Sequence, residues 1–133
     1  MSKKKYSNVK NRSSNGRFLA FPHVLLNHPD FISLKPHSVK LLIDIFMQFN
    51  GSNNGDFTIA RKLMKLRGWK SHRMIDEARD ELLEKNFILN SRIGGRRKCS
   101  LYAVTWLSVD HCNGKLDIQE TKTASRSFKA KIG

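Results

Sequence analysis

Gly68 separates two stretches of helical apolar spacing, and this break constrains the chain more than any other feature. Before it, Ile59, Leu63 and Leu66 recur at four- and three-residue steps; after it, Ile75, Ala78 and Leu82 recur at three- and four-residue steps. Such steps line one face of an α-helix with apolar side chains. A glycine between them accepts the left-handed backbone that ends a helix. The spacing therefore predicts a helix over 59–67 with Thr58 as its cap, a turn Gly68-Trp69-Lys70, and a further helix capped by Ser71 and ending near Asn86. The small Ala78 permits close approach of the preceding helix.

Elements on either side complete an order. Pro36 suits the first position of a helix, and Val39, Leu42, Ile43, Phe46 and Phe49 give one apolar face, so a helix is expected over 36–50. It stops at the turn Gly51-Ser52-Asn53-Asn54-Gly55, ahead of a short extended piece, Asp56-Phe57-Thr58. Pro22 and Pro29 break the apolar run between Phe18 and Leu34 into short helical turns. Downstream, Phe87–Arg92 and Leu101–Trp106 are β-prone and joined by Gly94-Gly95-Arg96-Arg97-Lys98, which reads as a hairpin with a basic tip. The fold class is mainly α with a small β hairpin. Three helices, a very short strand between the first two, and a hairpin after the third spell a winged helix-turn-helix.

The 133 residues hold 25 Lys and Arg against 11 Asp and Glu, a formal charge of +14. That length suits one domain, since domains commonly hold about 100 to 150 residues. Residues 1–17 carry six Lys and Arg and no acid, with too little apolar surface to offset ordering, and read as a basic arm. Residues 18–109 form the packed domain and 110–133 a basic tail. Such a charge attracts polyanions and releases counterions when phosphates are neutralised. Without the roughly 18 consecutive apolar residues of a membrane span, and without a secretory apolar run near Met1, a cytoplasmic protein is expected.

Phe21-Pro22-His23-Val24-Leu25-Leu26, Phe31-Ile32-Ser33-Leu34, Phe49-Asn50-Gly51-Ser52-Asn53-Asn54-Gly55, Ala78 with Leu82, Phe87-Ile88 and Tyr102-Ala103-Val104-Thr105-Trp106 carry a resemblance. In these residues, the run from Phe18 to Trp106 resembles short winged helix-turn-helix proteins of bacterial phages, plasmids and other mobile elements. The resemblance implies double-stranded DNA binding. It leaves regulation and replication open, because members of that group serve as either.

On such a fold the start of the third main helix enters the major groove, which brings Lys70, Ser71, His72, Arg73, Asp76 and Glu77 nearest to base edges. The later turns of this helix carry Asp80, Glu81 and Glu84 and would repel phosphate. Asp76 and Glu77 could accept from cytosine N4 or pair with Arg73 and Arg79 on their own helix. Arg92, Arg96, Arg97 and Lys98 concentrate charge on the hairpin for phosphate or minor-groove contact. Arg61, Lys62, Lys65 and Arg67 would face the flanking backbone, a positioning role without sequence information. Lys3, Lys4, Lys5, Lys10, Arg12 and Arg17 could follow the minor groove. Trp69 and Trp106 read as packing residues.

Cys99 and Cys112 stand at no metal-ligand spacing and read as reduced and structural, and adjacent His111 and Cys112 would point apart. There is no phosphate-cradling glycine loop followed by Lys-Ser/Thr and no nucleophile with a recognisable base, so an enzyme, a cofactor and a small-molecule ligand are not expected. The reading is a sequence-specific regulator, with a homodimer on a two-fold operator because one such domain buries limited DNA surface. A replication-associated protein and a protein-interaction adaptor on the same fold are the alternatives.

Overall fold

A computed structural model describes residues 16–128, with five α-helices and one antiparallel β pair among them. The helices are α1 (His23–Leu26), α2 (Pro29–Ile32), α3 (Pro36–Phe46), α4 (Arg61–Leu66) and α5 (His72–Glu84); the strands are β1 (Ile88–Arg92) and β2 (Leu101–Val104). Lys3, Lys4, Lys5, Lys10 and Arg12 lie outside the described residues.

The expected order holds, with shifts that have local causes. Pro36 opens α3 as the spacing predicts, but the helix ends at Phe46 rather than Asn50. Its last turn tightens, with Gln48 N and Phe49 N donating three residues back to Ile45 O and Phe46 O. The Gln48 side chain then bonds both backbone groups of Thr58, at 2.8 and 2.9 Å. The buried face of α3 is Ser38, Leu41, Leu42 and Ile45, and the predicted Ile43 is 40% exposed.

The second main helix begins at Arg61, two residues late, because Thr58 Oγ1 accepts from Ala60 N at 3.0 Å and holds that piece extended. Its phase turns accordingly: Met64 is fully buried, while the expected core residue Leu66 is 82% exposed. Gly68 takes φ +94 and ends the helix as read. Ser71 caps α5, accepting from Met74 N at 3.2 Å, and Ile75, Ala78 and Leu82 form the buried stripe that the spacing predicts.

β1 and β2 pair with Ile88 opposite Val104 and Asn90 opposite Tyr102. The register slips between Asn90 and Arg92, where Ser91 turns its buried hydroxyl to donate to Gly55 O. Phe57, in the short extended piece, exchanges backbone hydrogen bonds with Tyr102 and adds a bridge on the other edge. Phe46, Phe57, Met64, Leu82 and Val104 lie at the centre of the core, between α3, α5 and this sheet.

Asn54, inside the glycine-rich turn, is fully buried and acts as a hub. Its side-chain amide donates to the carbonyls of Val104, Leu107 and Ser108, and its Oδ1 accepts from Val104 N at 2.8 Å. A buried amide with all its groups partnered fixes one arrangement of the chain around it.

The packed chain continues beyond residue 109, where the sequence reading ends the domain. Asp110 and Asn54 exchange two hydrogen bonds, Asp117 N donates to Ser91 O, and Arg126 N donates to Thr105 O. Phe128 is 5% exposed and stacks on Phe87 at 5.3 Å. Arg126 donates to the carbonyls of Lys85 and Asn86 at the end of α5 and to Asp30 Oδ2 at 2.6 Å. Residues 110–128 are therefore a strap on the domain rather than a tail.

Candidate nucleic-acid interface

The N-terminal end of α5 presents Lys70, His72 and Arg73 to solvent, with Ser71 committed to capping. Because Ile75, Ala78 and Leu82 face inward, the helical period turns Arg73, Asp76, Glu77 and Asp80 outward. The Arg73 side chain is 87% exposed and its Nε donates to Glu77 Oε2 at 3.2 Å. Asp76 meets Arg79 Nη1 at 3.3 Å. Both acids singled out in the sequence are thus paired on their own helix. Exposed pairs of this kind are worth little to stability, so a competing partner can open them.

Two short segments add the cations that α5 lacks. Arg61, Lys62 and Lys65 stand exposed on α4, and among the described residues their side chains have no ion pair. Together with Lys70 and His72 they line a concavity of about 620 Å³ between α4 and α5, with Trp69 and Ile75 in its wall. Unpaired cations gathered on one concave surface make a site for anions.

Arg67 departs from the expected backbone-facing role. Its Nε and Nη2 reach Oδ1 of Asp44, both at 3.0 Å, while Lys40 Nζ and Trp69 Nε1 occupy Oδ2 at 2.8 and 2.7 Å. Burial pushes the Asp44 carboxyl up, but the hydrogen bonds from Lys40, Trp69 and Arg67 outweigh it and hold the group below its ordinary value. Arg67 is a strut between α3 and the turn before α5. The signal available in the sequence was Asp44 itself, an acid on the inner side of an otherwise apolar helix.

Arg92 also turns inward, donating through Nε and Nη2 to Cys99 O across the hairpin at 3.1 and 2.8 Å. Arg96, Arg97 and Lys98 remain exposed at the tip, where Gly95 and Lys98 bridge and Arg97 takes φ +69. Gly94 permits this close turn, because a Cβ there would meet Ser100 N at 2.5 Å and Lys98 O at 2.8 Å. Arg17 is exposed beside a groove formed with Phe18 and Trp106, among residues that line neither α4 nor α5.

Trp69 is buried with its indole nitrogen satisfied, and Trp106 packs edge-on to Phe46 at 5.1 Å, so both serve packing. Cys99 and Cys112 are free thiols, Cys99 exposed rather than packed. Among the described residues no three His, Cys, Asp or Glu side chains come together as a metal-binding group, and no helix is long and apolar enough to cross a membrane. Compared with family models, curated proteins and solved structures, the chain matches none.

Proposed function

We propose that the chain is a winged helix-turn-helix protein that binds double-stranded DNA sequence-specifically, as a transcriptional regulator of a mobile element. The observation that carries this reading is the cationic concavity at the start of α5, where Arg61, Lys62, Lys65, Lys70 and His72 converge without acidic partners among the described residues. The element order supports it: α3, the Phe57 bridge, α4, a glycine turn, α5 and the β1–β2 hairpin follow the succession of a winged helix. The resemblance noted in the sequence supplies the biological setting.

In this reading the start of α5 approaches the major groove, and Arg73 reads a base while α4 and the hairpin tip hold phosphates. The acidic outer face of α5 limits entry to its first turns. A homodimer on a two-fold operator supplies the area that one domain lacks.

The test is a gel shift of the full chain against fragments of its native element, at moderate salt and with random duplex as competitor. Retention of a discrete subset of fragments is expected. Equal retention of all fragments would leave only backbone affinity, and no retention would favour a protein-interaction adaptor.

A further inference from the structure

The start of α4, the first two turns of α5 and the base of the hairpin line a cleft of about 270 Å³ that shares Arg61, His72 and Ile75 with the concavity between α4 and α5 and reaches beyond it to the hairpin. We propose that this cleft binds a phosphate-bearing anion, held by Arg61 and His72 and by the hydroxyls of Thr58 and Tyr102.

Charge is the first argument. Among the described residues Asp76 is the one carboxylate in the lining, and Arg79 already holds it at 3.3 Å. Asp80, which shares Arg79, lies outside the lining. The uncompensated charge facing the cleft is therefore the Arg61 guanidinium, whose side chain, like that of His72, has no partner among the described residues. A planar fork of N–H donors suits a phosphate better than any other common anion except carboxylate.

Donor supply is the second. Thr58 Oγ1 accepts from Ala60 N and keeps its proton to donate, while Ser100 Oγ accepts from Gly94 N and turns its own proton to the Tyr102 oxygen. Burial pushes the Tyr102 phenol up, against the Arg79 charge and the hydrogen bonds its oxygen receives from Ser100 and Arg79, so the phenol keeps its own proton to donate at neutral pH. Hydroxyls and an imidazole N–H around a guanidinium give several short bonds to separate oxygens of one tetrahedral group.

Size is the third. Ligand pockets commonly span about 300 to 1,000 Å³, so this cleft takes a single charged group with little attached to it. Ile75 forms part of its wall and lowers the local polarity, which strengthens the contact. Because the lining joins α5 to the hairpin, an occupant would set the spacing of those two elements. The phosphate can come from a duplex backbone or from a free phosphorylated molecule, and only the first source rests on the DNA-binding reading.

The full chain is titrated with inorganic phosphate, replacing chloride at constant ionic strength, while amide and side-chain resonances are followed by NMR. Saturable shifts at Thr58, His72 and Tyr102 are expected. Arg61→Gln should weaken phosphate affinity by about tenfold, the loss of one charge-assisted bond, with folding checked by circular dichroism. Lys122→Gln, which removes the same charge from an exposed site elsewhere, should leave the affinity unchanged. Shifts that never saturate, or an equal loss in both variants, would overturn the site. Repeating the titration with bound duplex separates the sources: competition assigns the phosphate to the backbone, and undiminished binding assigns it to a free anion. If no duplex binds at all, the DNA reading fails while the phosphate titration still decides the cleft.

Discussion

The indole nitrogen of Trp69 donates to Oδ2 of Asp44 at 2.7 Å, in a pocket where the carboxylate is 2% exposed. This bond ties α3 to the turn that launches α5. With Lys40 and Arg67 on the remaining lone pairs, a buried charge is fully satisfied.

Asp44→Ala should destabilise the fold by about 2 to 3 kcal/mol, since it orphans a buried indole N–H while Lys40 and Arg67 stay half-exposed and regain water. Asp44→Asn keeps an acceptor for Trp69 and should cost less. Urea unfolding measures both. Arg67→Ala should likewise lower stability yet leave the salt dependence of duplex binding unchanged; a reduced slope would return Arg67 to the DNA-facing set.

Acid should unfold the domain through three carboxyls. The Asp30 group is held low chiefly by its hydrogen bond from Arg126; at Asp44 and Glu81 burial pushes upward and is outweighed by hydrogen bonds, at Glu81 those from Ser38, Lys35 N and Lys85. A carboxyl depressed in the folded state lends stability that is complete above its ordinary value, here 3.8 or 4.5, and is lost as pH falls through the lower folded value. Thermal midpoints should thus hold down to about pH 5 and drop below it. Glu81→Gln should be less stable at pH 7 and lose less on acidification; a parallel drop would show that Glu81 is not among the responsible groups.

Arg73 and Ile75 are two residues apart and should separate completely. Ile75 is 4% exposed, so Ile75→Ala should cost about 2 to 5 kcal/mol of folding stability. Arg73→Ala should leave unfolding untouched and reduce binding to the selected fragment by about 1 to 3 kcal/mol, with a smaller loss on random duplex. Equal losses on both would demote Arg73 to a phosphate contact. Glu77→Gln releases Arg73 from its ion pair and should raise affinity for random duplex.

At the hairpin tip, replacing Arg96, Arg97 and Lys98 with Ala should flatten the plot of log affinity against log salt, because each phosphate contact contributes about 0.9 to the slope. Gly94→Ala removes no charge but must push apart the backbone at Ser100 and Lys98. If the tip touches the duplex, this variant should weaken binding while retaining the helical circular dichroism. Wild-type affinity would show that tip geometry is irrelevant.

α5 was legible because cap, stripe and stop agree: Ser71, then Ile75, Ala78 and Leu82, then Asn86 in the left-handed region at φ +59. α4 was legible as an element but not in phase. In a helix of six residues, Leu63, Met64 and Leu66 are all apolar, and only the Thr58 turn decides which faces in. The cations of the candidate site show the same limit. Arg61 and Arg67 look alike in sequence, yet one has no partner among the described residues and the other is bound to an acid 23 residues earlier. The strap was not legible, since its anchors are Phe128 and Arg126 in a polar stretch, and the acid that receives Arg126 is 96 residues away.

That separation sets an order of events during synthesis. Asp30 is synthesised 96 residues before Arg126, so the end of α5 and the Phe87 ring stay uncovered until residues 126–128 have been made. A nascent chain stalled anywhere before residue 126 therefore carries an exposed aromatic surface beside the helix that would meet DNA. Such surface is what chaperones and proteases recognise, and the docking of residues 126–128 withdraws it.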